Sequence, residues 1–163
     1  MNRYEVRKYY NRYRKHEKNE KNGLDFVSTN RVPISNDVGY IEISITKDLG
    51  QEIATDAVLT IYVNQDGDQI PVATLSPTEN PTLIELPIAH PSGTLVEGPE
   101  YYFTPYNLTI EDEGYYRIIT QNIRLFPNVK AAFFYNLNRI VTGQPGHEEI
   151  IIIPPHPRDI LIK

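Results

Sequence analysis

The chain has no cysteine among its 163 residues. That excludes disulfides, thiolate nucleophiles and cysteine-built zinc or iron–sulfur centres, so the fold must hold by packing and hydrogen bonding. No apolar run approaches the roughly 20 residues that a helix needs to cross a bilayer, and no membrane span is expected. Met1-Asn2-Arg3-Tyr4 leads into polar residues rather than an apolar segment, so no secretory signal is expected and export would need another route. His16, His90, His147 and His156 are scattered. No His-x-His or His-Glu-x-x-His spacing sets two imidazoles on one ion, and no metal or other cofactor is expected. No nucleophile elbow frames a serine, which leaves hydrolase chemistry without a basis.

What remains describes an ordinary globular chain, with 40% hydrophobic and 23% charged residues, long enough for one domain with extensions. Thirteen prolines, nine glycines and twelve tyrosines favour short strands joined by turns over long helices. Residues 40–46 alternate cleanly, with Ile41, Ile43 and Ile45 on one face and Glu42, Ser44 and Thr46 on the other. Ala57, Leu59, Ile61 and Val63 repeat that period, and Asp66-Gly67 supplies a tight hairpin turn into residues 70–75. Further strands are expected over residues 82–86, 106–110, 117–125 and 129–137, with a Pro- and Gly-rich connection over 88–99. Seven strands at this spacing predict an all-β, seven-stranded antiparallel β-sandwich of Greek-key type.

The ends carry material beyond those strands. Residues 1–37 read as a basic, Tyr-rich arm and linker, 38–140 as the sandwich, and 141–163 as a C-terminal extension. Within residues 1–22 lie eight of the sixteen Lys/Arg and three of the twenty-one Asp/Glu, a net of +5 that leaves the rest of the chain at −10. Arm and body therefore attract one another, within a chain or between copies. Tyr9, Tyr10 and Tyr13 interleave with Arg12 and Arg14, a pattern that also suits phosphates and bases. A body at −10 repels a polyanion, so docking of the arm on protein is the favoured reading and nucleic acid the disfavoured one. At the other end, Ile150, Ile151, Ile152 and Ile153 are stopped by prolines, and Ile160, Leu161 and Ile162 follow. Such apolar strand-like pieces must be covered internally or by a partner.

Three smaller features have plain alternatives. Glu111, Asp112 and Glu113 could bind calcium, but three acids on a turn are usually only solvated. Asn107-Leu108-Thr109 matches a glycosylation sequon inside an expected strand, where coincidence is the simpler account. Tyr115 and Tyr116 resemble ligand-stacking aromatics, yet a Tyr at the start of such a strand often closes a sandwich corner, its ring buried and its hydroxyl bonded to backbone.

The run Tyr106-Asn107-Leu108-Thr109-Ile110-Glu111-Asp112-Glu113-Gly114-Tyr115, together with residues 53–61 and the later Phe126-Pro127-Asn128-Val129, resembles the carboxypeptidase-regulatory-like branch of the transthyretin-like (prealbumin-like) sandwiches. Ile153-Pro154-Pro155-His156 adds a likeness to copies of that module in clostridial spore-associated proteins. The resemblance covers about 60% of the chain and implies a non-catalytic module on a bacterial spore, cell or fibre surface. No hydrolase or peptidoglycan-binding segment follows it, and the basic arm has no counterpart. The paired-His signature of intradiol dioxygenases and the Tyr-Arg-Gly-Ser ending of hydroxyisourate hydrolases are missing as well. The expected role is a structural subunit, a homo-oligomer or polymer that associates through its terminal segments. The other reading is a module docking on cell-wall glycan, peptidoglycan or a surface protein through loops such as 88–99.

Overall fold

A computed structural model describes residues 34–141, 143, 148–157 and 159–161. The chain divides into two units, Met1–Arg31 and Val32–Lys163, and the account below concerns the second. Tyr9, Tyr10, Arg12, Arg14, Tyr13 and Ile162 lie outside the described residues.

Among the described residues the structure is all-β, with no helix. In chain order the strands are β1 (Val38–Lys47), β2 (Glu52–Ile53), β3 (Val58–Gln65), β4 (Asp68–Leu75), β5 (Thr82–Pro87), β6 (Val96–Glu97), β7 (Tyr102–Phe103), β8 (Tyr106–Glu111), β9 (Ile118–Ile123), β10 (Lys130–Leu137), β11 (Glu149–Ile152) and β12 (Ile160–Leu161). One sheet is centred on β1, with β10 along one side and β5 and then β2 along the other. Between β5 and β2, the Asn80 side-chain amide donates to the Ile45 carbonyl and accepts from its N–H, standing in for a strand. A second sheet runs β11-β9-β8-β3-β4, and a small third one runs β12-β6-β7.

The core follows from alternation. Every second side chain of β1 is buried, and Ile41, Ile43 and Ile45 form one cluster with Leu59, Ile61 and Val63 of β3, Tyr106, Leu108 and Ile110 of β8, and Leu137 of β10. The two large sheets thus bury their facing sides together, the sandwich-like solution for sheets with one apolar face. A hydroxyl pair ties them across the middle: Thr120 Oγ1 of β9 lies 2.9 Å from Tyr135 Oη of β10, both buried. Burial pushes the Tyr135 phenol up to about 12, because a phenolate there would lose its hydration.

The two large sheets are mixed, which corrects the antiparallel expectation, while the small third one is antiparallel. β1 pairs parallel with β10 from Tyr40↔Lys130 to Lys47↔Leu137, and β9 pairs parallel with β11 from Ile118↔Glu149 to Gln121↔Ile152. The connection over 88–99 also differs from a free loop. Ile88, Ala89 and Val96 are buried, Thr104 N–H donates to the Ile88 carbonyl, and the connection contributes β6. The buried ring with a backbone-bonded hydroxyl belongs to Tyr106, whose Oη donates to the Pro87 carbonyl at 2.6 Å, and not to Tyr115.

Candidate binding groove and open sheet edge

The five-stranded sheet ends in two different edges. On β4 the pairing with β3 breaks register between Ile61 and Tyr62, leaving Val72 as the extra residue, and Pro71 sits beside the break opposite Tyr62. A bulge plus a proline twists an edge and removes a donor, which discourages pairing with another chain. Among the described residues β11 has neither a bulge nor a proline within the strand. Glu149 N–H donates to the Arg117 carbonyl and Ile153 N–H to the Gln121 carbonyl. By the two-residue period, the N–H of Ile151 also faces β9, while those of Ile150 and Ile152 face the open side. Ile150, Ile151 and Ile152 are 55%, 45% and 62% exposed, and only Ile153 turns in against the core. The first three isoleucines expected to need cover therefore pair along one edge of their own chain and keep their side chains in solvent.

Past β11 the chain skirts a cavity of about 950 Å³ lined mainly by aromatic rings and prolines, among them Tyr101, Phe103, Phe126, Phe133 and Pro154. Arg124 is its charged centre. The residue sits between Ile123 and Leu125, both fully buried, and its own side chain is only 15% exposed. Its guanidinium stands 4.3 Å from the Phe103 ring centroid, 4.9 Å from that of Phe126 and 5.6 Å from that of Tyr101. These are cation–π distances. Gly98 makes the position possible, since a Cβ there would come within 2.8 Å of Arg124 Nη2 and 2.9 Å of the Tyr101 carbonyl.

The partner of Arg124 comes from the C-terminal segment. Nη1 donates to Asp159 Oδ1 at 2.7 Å, and the Asp159 side chain is only 5% exposed. Asp159 Oδ2 also accepts from the His156 N–H, while the Asp159 N–H donates to the His156 carbonyl, closing the proline-rich turn on itself. β12 then pairs antiparallel with β6 through Ile160↔Glu97 and Leu161↔Val96. Tyr101 Oη and Arg124 Nε are both buried without a hydrogen-bond partner among the described residues.

A second polar cluster lies at the β1–β2 turn. Asp48, Leu49 and Gly50 all take positive φ, and the turn is held by Arg139, whose Nε and Nη2 reach the two Asp48 carboxylate oxygens at 2.7 Å each. The Arg139 hydrogen bonds hold the Asp48 carboxyl below the usual carboxylate range. Tyr115 stands between Arg139 and Lys47, at 5.3 and 5.4 Å from its ring centroid, and its hydroxyl reaches Asp48 at 3.4 Å. The acids considered for calcium separate: Glu111 pairs with Arg117, and Asp112, itself buried, with Lys47. Among the described residues no three His, Asp or Glu side chains converge as metal ligands. Asn107 of the sequon is buried and accepts from the Asn122 N–H.

Arg124 and Asp159 escaped the sequence reading, although an arginine inside an apolar run is a legible sign of a cation needing a partner. No protein-family profile and no curated protein sequence matches the chain.

Proposed function

We propose that this chain is a non-enzymatic structural subunit, a transthyretin-like sandwich that self-associates by strand addition within a bacterial surface or spore-associated assembly. The observation that supports the reading is the edge of β11, which pairs with no further strand among the described residues and whose exposed isoleucines flank outward-facing backbone groups. A second copy is the occupant argued for, because the arm at +5 and the remainder at −10 draw copies together over the range that salt leaves unscreened. A contact that closes on itself gives a dimer, and a head-to-tail contact gives a fibre.

Light scattering on the eluting protein and electron microscopy test this at neutral pH. Association that grows with concentration and falls in Ile151→Lys is the expected result. A wild-type chain that stays monomeric at high concentration would falsify the proposal. The cavity beside Arg124 supports the second reading, a binding module, since its aromatic and proline walls suit a sugar ring or peptide. Retention on cell-wall material, lost in Phe126→Ala with the fold intact, is its signature.

A further inference from the structure

The cavity beside Arg124 follows from a bulge in β9. Ile118 and Thr120, at even positions, face the core. The pairing with β8 then shifts register: Gln121 and Asn122 stand opposite the single Asn107, and Asn122 takes a φ of 64°. One extra residue reverses the phase of the strand, so Ile123 and Leu125 turn inward and Arg124 is carried to the wall of the cavity. In an unbroken strand Arg124 would share the inward face with Ile118 and Thr120. Around it Phe103 is buried, Phe126 is 46% exposed, and Pro154, Pro155 and Pro157 line the same space. Two polar atoms here, Tyr101 Oη and Arg124 Nε, are buried without a partner among the described residues, and both can donate. The charge of Arg124 is already matched by Asp159, and Glu100 adds a second carboxylate to the lining. The site therefore calls for neutral hydrogen-bond acceptors set against apolar rings, and a further anion is disfavoured.

We infer that this cavity binds an extended proline-rich peptide. The inference rests on the binding-module reading, names its ligand, and needs no self-association. A proline offers a carbonyl and no N–H, so such a peptide brings acceptors and no donors that the site would have to satisfy. Its extended left-handed form is largely preset, which lowers the cost of ordering it, and proline rings dock in aromatic-lined grooves. The chain's own Pro154-Pro155-His156-Pro157 already forms part of a cavity that Phe103 and Phe126 also line. A sugar ring suits the same aromatic surface but carries hydroxyl donors that need acceptors. Both oxygens of the Asp159 carboxylate are already engaged, by Arg124 and by the His156 N–H. The donor-rich, acceptor-poor lining therefore favours the peptide. The Tyr101 hydroxyl is closed to solvent in the free protein, so a peptide carbonyl meets it only when the groups covering it shift. Side-chain changes of that size are common when an interface forms.

Calorimetric titration of the full chain with blocked decaproline tests this, beside a blocked Gly/Ser peptide of equal length and a soluble chito-oligosaccharide. Saturable binding of decaproline with a Kd below about 1 mM, and no heat from the Gly/Ser peptide, is the expected result. Phe126→Ala removes an exposed ring and should abolish the binding, with the circular dichroism spectrum unchanged. Tyr101→Phe keeps the ring and deletes only the hydroxyl. Because that hydroxyl has no partner in the free protein, the variant should resist urea at least as well as wild type, yet bind decaproline about tenfold more weakly. A purely structural tyrosine would not lose affinity while keeping stability. Decaproline binding left unchanged by either variant overturns the site. Silence toward decaproline overturns the peptide: the binding-module reading survives where the oligosaccharide or cell-wall material is held and Phe126→Ala releases it, and falls where neither is held.

Discussion

The two flanks of the five-stranded sheet solve the same problem by different means. β4 is anchored by packing, with Ile70, Val72, Ala73 and Leu75 against the core, and its free edge is spoiled by the irregularity at Val72 and by Pro71 next to it. β11 is anchored by backbone bonds and by an ion pair a few residues on, and its free edge is regular and apolar. Packing makes a flank part of the cooperative unit, whereas polar attachment makes it separable. An edge meant to stay alone is blunted, and β4 carries a bulge and a proline within its strand where β11 carries neither.

The largest effect expected is on the packed side. Ile61 is fully buried on β3 beside β4, and Ile61→Ala should cost about 4 kcal/mol by lost transfer energy and cavity formation. Denaturant melts would register it, and amides of β4, β8 and β9 should lose exchange protection together. If β4 alone loosened, the flank would not belong to the core as argued.

On the polar side, Asp159→Ala removes one partner of a buried pair, a change worth about 3 kcal/mol. Here the loss should be local. Hydrogen exchange at Glu149, Ile151 and Ile153 and in β12 should speed up by about a hundredfold, with β3 and β8 unchanged. A matching fall in global stability would erase the distinction between the flanks.

Much of this contrast was legible in the chain, and some was hidden for identifiable reasons. All seven strands of six or more residues fall on stretches expected to be strands. Asp66-Gly67 turns the chain with φ of 53° and 95°, as that dipeptide predicts. Period-two alternation tells which face a residue occupies but not which strand lies beside it. The parallel neighbours β1/β10 and β9/β11 were therefore invisible, and β6 and β7 are too short to show a period at all. Arg124 and Asp159 meet across 35 positions of sequence, and only the fold brings them together. Tyr115 looked like the corner tyrosine by position, yet Tyr106 takes that hydrogen bond because its strand is buried along almost its whole length.

A smaller effect probes the tie between the sheets. Tyr135→Phe leaves Thr120 Oγ1 without its buried partner, at a cost of about 1–2 kcal/mol. The wild-type phenol, raised from 10.0 to about 12 by burial, stabilises the fold fully below pH 10, and that contribution is lost as pH rises from 10 towards 12. Urea midpoints should therefore fall across that window in wild type and less steeply in the variant. Equal slopes would mean that another group governs the alkaline limb.

The smallest effect on stability should carry the largest consequence for assembly. The N–H of Ile152 faces the open side of β11, so Ile152→Pro removes an outward donor without cutting the ladder to β9. The substitution gives β11 the kind of blunting that β4 already has at Pro71. Stability should change by less than about 1 kcal/mol, because Ile152 is exposed and its backbone bond to the body is not involved. Association through the edge should fall to the level of the monomer, while the Asp159 latch stays shut by hydrogen exchange at Ile160–Leu161. Undiminished association would place the contact elsewhere on the chain and leave the open edge without consequence.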